Sequence, residues 1–140
     1  MITKDQIFPL LIEASPSFSD TWGEFLEEWK EETDKGEELP YYLCLSDYAK
    51  HIIELYMNND VSTLEKVFSA IERLHVDGDH YVREAATIGI LESLQNNAEK
   101  TKIGGAVFEK YLLPETLYWW EKVYGFWEQG ELIVDDRNKV

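Results

Sequence analysis

Four side chains that could bind a metal ion lie close together at residues 75–80, which read His-Val-Asp-Gly-Asp-His. Zinc is commonly bound by histidine, and carboxylates serve as further ligands. The spacing of His75 and His80 matches no common zinc motif, and the segment lacks the spaced acidic positions and distant glutamate of a calcium loop. The segment is also typical of a turn between helices, in which Gly78 adopts an unusual φ and Asp79 caps the next helix. We favour the turn. The alternative is a small metal-binding protein or enzyme that uses His75, Asp77, Asp79 and His80.

No motif for a catalytic nucleophile is present elsewhere in the chain. The sequence contains neither a Gly-x-Ser-x-Gly elbow nor a glycine-rich phosphate loop. The single cysteine, Cys44, lies in the apolar run Tyr-Tyr-Leu-Cys-Leu, which favours a small buried side chain over a reactive thiol. His51 lies beside apolar positions and is interpreted as structural or surface-exposed. We therefore predict a protein that is not an enzyme and that uses no cofactor.

A dense group of glutamates is the strongest candidate for a binding surface. Five of them fall within nine residues of one predicted helix: Glu24, Glu27, Glu28, Glu31 and Glu32. Carboxylates spaced i,i+4 on a helix repel one another, at a cost of roughly 0.2–0.5 kcal/mol per pair. Two interpretations stay open, a solvated face that only maintains solubility and a docking surface for a cationic protein. The second predicts these five residues as the contacts to a basic protein partner.

Aromatic residues near the C-terminus supply candidate apolar contacts. Trp120, Tyr124 and Trp127 follow Leu117 at helical spacing, a pattern more typical of a core stripe than of an exposed one. Trp and Tyr also dominate the energetics of protein interfaces. Tyr118 and Trp119 lie off the main stripe, and we predict them as partner-binding residues.

Composition restricts the class of partner. The chain of 140 residues carries 28 acidic and 13 basic residues, for a net charge of −15. A field of this sign repels nucleic acid and anionic lipid, so we predict neither nucleic-acid nor membrane binding. One cysteine fits a reducing compartment. The first residues lack a signal-peptide pattern, and no apolar run approaches the ~20 residues of a membrane span. These features predict a cytoplasmic protein.

The positions of apolar residues, caps and helix breakers predict an all-α fold of six to seven helices. Thr3 with Gln6, and Ser62 with Glu65, form capping-box patterns, while Pro9 should kink or shorten the first helix. We expect the helix after Asp79 to fray at residues 95–97. The predicted helices cover residues 3–14, 19–33, 40–58, 62–74, 79–95, 106–112 and 114–129. They form a single domain over residues 1–130, followed by a loosely ordered tail, 131–140.

Residues 77–94 resemble the second helix of a HEAT-type repeat, because an acidic turn precedes Val-Arg, Ala-Ala, Gly and Leu. Three predicted hairpins begin about 40 residues apart, as in HEAT or armadillo units. The resemblance implies a HEAT/armadillo-like stack of antiparallel helical hairpins. It also implies that Asp77 or Asp79 and Arg83 bond to neighbouring units, and that Ala85, Ala86 and Gly89 permit close helix packing.

The chain also resembles small acidic bacterial proteins of the immunity-protein type. The resemblance lies in residues 81–96, Tyr-Val-Arg-Glu-Ala-Ala-Thr-Ile-Gly-Ile-Leu-Glu-Ser-Leu-Gln-Asn, and in residues 113–127. It implies a protein-protein interaction module that neutralises a basic partner by electrostatic steering and steric occlusion. A structural subunit that forms a homodimer through an exposed aromatic face is a further alternative.

Overall fold

The computed structural model describes residues 1–137, and this part of the chain is all-α, as predicted. A lone parallel bridge between Ile2 and Gly78 is the only β pairing within it. The eight α-helices are α1 (Ile7–Ala14), α2 (Ser19–Glu28), α3 (Lys30–Asp34), α4 (Tyr41–Met57), α5 (Val61–Asp77), α6 (His80–Glu84), α7 (Ser93–Lys100) and α8 (Pro114–Gln129). A π-helical segment, Ala85–Glu92, joins α6 to α7, and 3-10 helices span Lys4–Gln6, Pro16–Phe18 and Gly105–Tyr111.

Pro9 shortens the first helix, one of the two outcomes expected. A 3-10 turn precedes α1, and the Thr3 backbone N–H donates to Gln6 Oε1 at 2.9 Å. The α-helix then begins at Ile7. Pro9 thus lies in the first turn of α1. Backbone N–H groups in a first turn have no intrahelical acceptor, so a proline there removes no hydrogen bond.

Aspartates cap helices α5 and α6. Asp79 Oδ1 accepts from the Val82 N–H at 2.9 Å, which confirms the predicted cap of α6. The predicted cap at Ser62 is wrong, because Asp60 Oδ1 accepts from the Thr63 N–H at 3.2 Å and α5 begins at Val61. Since the Asp60 backbone lies outside the helical region, its side chain can turn back to the N–H of Thr63, the third residue of the helix.

Gly78 is required for space and not for an unusual φ. Its φ of −74° and ψ of 153° are ordinary extended values, so that part of the prediction is wrong. A Cβ here would lie 2.3 Å from the Leu74 carbonyl oxygen and 2.5 Å from Val82 Cγ1. The N-terminal segment is tied to the same turn, where the Ile2 N–H donates to the Asp77 carbonyl at 2.8 Å and the Asp79 N–H donates to the Ile2 carbonyl at 2.9 Å.

The core surrounds α5 and the π-helical segment. Helix α5 packs against α1, α4 and α8, while the π-helical segment packs against α4, α5 and α8. Both elements contribute fully buried apolar side chains, among them Phe68 and Ile71 of α5 and Ile90 of the π-helical segment. These two elements therefore set the positions of the outer helices.

Helix α7 continues to Lys100, so the fraying expected at residues 95–97 is wrong. Gln95 is only 2% exposed, and its Nε2 donates to the Trp120 carbonyl at 3.0 Å. This tertiary hydrogen bond keeps residues 95–97 helical, although polar residues of this kind often end a helix. Gly89 lies against α4, since a Cβ there would be 2.7 Å from Leu45 Cδ1.

Helix α8 ends at Gly130, whose φ of 69° is left-handed and favours glycine. The chain then turns back along α8, and we call residues 131–137 the clamp segment. Residues 138–140 of the predicted loose tail lie outside the described residues. Within residues 1–137, no helix combines the length and apolar composition of a membrane span.

Candidate functional site

The five predicted glutamates lie on α2 and α3, two short helices separated at Trp29. Four of them are exposed: Glu24, Glu27, Glu28 and Glu31. Glu32 is half-buried, and its Oε2 is shielded from solvent without a hydrogen-bond partner among the described residues. We call these five residues the acidic face.

Aromatic packing holds the acidic face in place from behind. Trp22 of α2 stacks on Phe8 of α1 with ring centroids 4.3 Å apart, and Phe25 is buried. Leu26 is 39% exposed, which differs from the inward position that its spacing predicts. The apolar stripe of α2 is therefore narrow, and most of its circumference faces solvent.

The charge of the acidic face is not neutralised within the described part of the chain. None of its five carboxylates forms an ion pair with a residue between positions 1 and 137. Close, unpaired carboxylates create a negative potential that attracts a cationic surface over about a Debye length, roughly 8 Å at physiological salt. The exposure of the acidic face and its unpaired charge therefore suit the electrostatic steering of a cationic partner.

The predicted apolar contacts, Tyr118 and Trp119, lie on α8 beneath the clamp segment. The Tyr118 hydroxyl donates to Asp136 Oδ1 at 2.9 Å, and the Arg137 guanidinium lies 3.9 Å from the centre of the Tyr118 ring. Trp119 Nε1–H donates to Glu115 Oε1 at 3.3 Å. The chain itself therefore occupies part of the surface that the sequence assigns to a partner.

Charged hydrogen bonds fasten the clamp segment to the start of α8. Arg137 donates to both Glu115 oxygens, at 2.8 and 2.6 Å, and Lys122 Nζ lies 2.6 Å from Asp136 Oδ2. The Arg137 guanidinium holds the pKa of Glu115 and that of Asp135 below their usual values. Because these groups are only partly buried and remain in contact with solvent, each ion pair contributes little alone. The planar two-point contact between Arg137 and Glu115 supplies the geometry.

A groove of about 520 Å³ opens between the clamp segment and the start of the helix that follows Asp79. Trp119 and Ile133 form part of its apolar wall, while Arg83 and Asp135 supply opposite charges. Of the two predicted apolar contacts, Trp119 therefore borders a cleft, and Tyr118 is covered by Arg137.

Replacing Arg137 by Ala should loosen the clamp segment while leaving the core intact. The variant loses the two-point bond to Glu115 and the stacking on Tyr118, so we expect a loss of unfolding free energy of about 1 kcal/mol or less. The local effect should be larger. The Asp136 N–H, which donates to the Tyr118 hydroxyl at 3.2 Å, should exchange faster with solvent. Hydrogen exchange followed by NMR measures the exchange rate of the Asp136 amide.

The exposed Arg73 provides the control, since Arg73→Ala removes the same charge away from the clamp segment. Exchange at Asp136 that is equally fast in both variants would contradict a clamp held by Arg137.

The four residues of the alternative metal site do not converge. His75 is 3% exposed and both of its ring nitrogens are hydrogen-bonded, whereas the His80 side chain is 90% exposed and faces Glu84. Asp79 is used as a helix cap. Within residues 1–137, no three His, Cys, Asp or Glu side chains are grouped to hold a metal ion. The geometry does not support that alternative.

His75 is instead the centre of a buried polar network. Because the Ile71 carbonyl can only accept, Nδ1 carries the proton and donates to it at 3.1 Å, with Thr116 Oγ1 also 3.1 Å away. Nε2 then accepts from the Thr87 hydroxyl at 3.0 Å. The network joins α5, the π-helical segment and α8. Burial lowers the pKa of His75 to about 4, so the ring is neutral at pH 7.

Glu72 extends the network by capping α8 from a different helix. Its carboxylate accepts from the Glu115 N–H at 3.1 Å, and from the Thr116 N–H and hydroxyl, both at 2.8 Å. Leu113, at the N-cap position of α8, has no side chain that could do this. A carboxylate at a helix N-terminus is also stabilised by the helix dipole. Sequence patterns miss the contact, because the partners are more than 40 residues apart.

Cys44 and Ser15 are both buried, and neither is accessible to a substrate from solvent. Burial raises the pKa of the Cys44 thiol to about 12, which keeps it protonated and unreactive. Ser15 Oγ lies 2.8 Å from His51 Nε2, a distance suited to base catalysis. However, Ser15 is fully buried, and no carboxylate within residues 1–137 hydrogen-bonds to the His51 ring. The pair is therefore assigned a structural role, linking α4 to the end of α1.

Residues 8–128 match the family described as "Domain of unknown function (DUF7674)", and the chain belongs to that family. No curated protein and no solved structure matches the chain. The match extends from α1 to the last turn of α8, so it includes the acidic face, the His75 network and Trp119.

Proposed function

We propose that the protein is an interaction module that binds a basic protein partner through the acidic face, in the manner of a bacterial immunity protein. The main support is that five carboxylates on α2 and α3 have no cationic partner within residues 1–137. The shielded Oε2 of Glu32 adds to this, since a donor from a partner would relieve the cost of a buried, unpaired oxygen.

In this proposal the aromatic residues of α8 have a secondary role. Trp119 offers an apolar edge to the groove beside the clamp segment, and a partner side chain could pack there. Tyr118 joins the interface only when Arg137 is displaced from its ring.

We further propose a HEAT-type stack as the architecture that presents this surface. Helix α5 and the π-helical segment both pack against α4 and against α8, as the helices of a middle unit would pack against their neighbours. The resemblance of residues 77–94 to a HEAT helix also supports it. We propose a single domain over residues 1–130 and, from charge and cysteine content, a cytoplasmic location.

Reversing the charge of the acidic face should slow association with the partner. The partner would first be captured from the native cell and then purified. With Glu27, Glu28 and Glu31 all changed to Lys, we expect the association rate at low salt to fall by about tenfold or more, and its dependence on salt to weaken. Stopped-flow fluorescence or surface plasmon resonance measures both.

A matched variant separates the local surface from the total charge. Glu54, Glu65 and Glu121 are exposed on α4, α5 and α8, and changing them to Lys alters the net charge by the same amount. Equal association rates for the two triple variants would sink the proposal that the acidic face steers binding.

A further inference from the structure

We propose that the groove between α7 and α8 binds an arginine side chain of the basic partner. The inference rests on the proposed function and deepens it, because it assigns a specific receptor site to the partner's positive charge. The groove has a volume of about 320 Å³. Its lining residues are Gln95, Asn96, Glu99, Tyr124, Trp127 and Glu128.

Gln95, one of the lining residues, has a buried acceptor that lacks a hydrogen-bond donor. Gln95 is 2% exposed, and its Nε2 donates to the Trp120 carbonyl at 3.0 Å. That carbonyl can only accept, so the amide orientation is fixed and Oε1 must point away from it. Oε1 is buried and has no partner among residues 1–137. Leaving such an oxygen unpaired is costly, and a donor that enters the groove would satisfy it.

The walls of the groove favour a positively charged donor. Glu99 of α7 and Glu128 of α8 are both exposed, and neither forms an ion pair in the described part of the chain. Burial raises the pKa of Tyr124, and the nearby carboxylates of Glu109, Glu99 and Glu128 raise it further. A carboxylate or phosphate ligand would be repelled by these groups.

The aromatic wall favours guanidinium over ammonium. Trp127 is 50% exposed, although it is a large apolar residue in the last turns of α8. A planar guanidinium stacks on an indole face while its five N–H groups remain free for the acceptors around its edge. Among the lining residues, the groups that can accept are the Gln95 amide oxygen and the carboxylates of Glu99 and Glu128. A lysine ammonium would satisfy the charges but not the stacking.

NMR titration of the full-length, isotope-labelled protein with the peptide acetyl-Gly-Arg-Gly-amide tests the site. We expect saturable shifts of the Gln95 side-chain amide and the Trp127 indole N–H. The same peptide with citrulline, which has the same shape without the charge, should give none. A lysine peptide should bind more weakly. Equal shifts with citrulline would overturn the site, and equal affinity for lysine would overturn the guanidinium assignment.

Variants at exposed positions locate the binding and are not expected to disturb the fold. Either Trp127→Leu or the pair Glu99→Gln and Glu128→Gln should weaken arginine-peptide binding roughly fivefold, since each removes one class of contact. The pair Glu54→Gln and Glu65→Gln, exposed on α4 and α5, is the matched control and should leave the peptide affinity unchanged. Peptide binding that is lost only in the control pair would place the site away from the groove and refute the inference.

The two proposals can fail separately. If the groove binds no arginine peptide but charge reversal of the acidic face still slows partner association, the groove assignment is wrong and the proposed function stands. If the peptide binds the groove but reversal of the acidic face has no specific effect, the steering role is wrong and the arginine site stands.

Discussion

Lowering the pH from 7 to 5 is expected to reduce the free energy of unfolding by about 2 kcal/mol through His75 alone. In the folded protein, burial among the hydrogen bonds of α5, the π-helical segment and α8 lowers the pKa of His75 to about 4. In the unfolded chain a histidine has a pKa of about 6.5. Between these two values the unfolded state binds a proton that the folded state excludes.

The direction of the effect follows from this difference. Because the folded pKa is depressed, the stabilisation is complete above about pH 6.5 and is lost progressively as the pH falls to about 4, where the total loss reaches about 3 kcal/mol. At pH 4 about half of the folded molecules are protonated at His75. Below about pH 3 both states are protonated there, and this residue contributes no further change.

Urea unfolding at pH 7 and pH 5 measures the loss. His75→Gln removes the titrating group. This variant should be less stable than the natural protein at pH 7, but its free energy of unfolding should fall much less between pH 7 and pH 5. His80→Gln changes an imidazole that is 90% exposed and should preserve the loss seen in the natural protein. If His75→Gln retained the full pH dependence, the buried neutral imidazole would not be its cause.

Replacing Gly78 by Ala is expected to cost about 3 kcal/mol of unfolding free energy. The new Cβ would lie 2.3 Å from the Leu74 carbonyl oxygen and 2.5 Å from Val82 Cγ1. The first of these is a backbone atom and cannot rotate away, so α5 or α6 must shift. A shift here also disturbs the hydrogen bonds that hold Ile2 against the turn.

Gly23 offers a control in which the same substitution should have the opposite sign. It lies within α2, and a Cβ there would meet nothing within 4 Å. Alanine favours a helix interior over glycine by about 1 kcal/mol, so Gly23→Ala should stabilise slightly. Denaturant unfolding of both variants decides the matter, and a Gly78→Ala protein as stable as the natural one would refute the steric argument.

Local patterns in the sequence predicted the helices well where caps and apolar spacing agreed. Helix α8 begins at Pro114 and ends before Gly130 as predicted, because both residues act through their own backbone geometry. The prediction of a frayed end at residues 95–97 was wrong because it depended on a neighbour in space. The sequence predicts that the helix frays from Gln95 onward, but the hydrogen bond from Gln95 to the Trp120 carbonyl keeps α7 ordered.

The candidate site was predictable only in part for the same reason. Runs of glutamate outside an apolar stripe indicate an exposed face, and four of the five predicted carboxylates are exposed. The covering of Tyr118 by Arg137 depends on the reversal of the chain after Gly130. The network of His75, Thr87 and Thr116 joins three elements, and no local spacing signals it.

Because Glu72 caps α8, the residue at position 72 and the residue at position 113 should change together among related chains. If residue 72 loses its carboxylate, the N–H groups of Glu115 and Thr116 lose their acceptor, and a new one must come from residue 113 or 114. Related chains that lack an acid at position 72 should therefore carry Ser, Thr, Asp or Asn at the position of Leu113. The acceptor for the start of α8 can therefore come from either of two elements, α5 or the residue before α8.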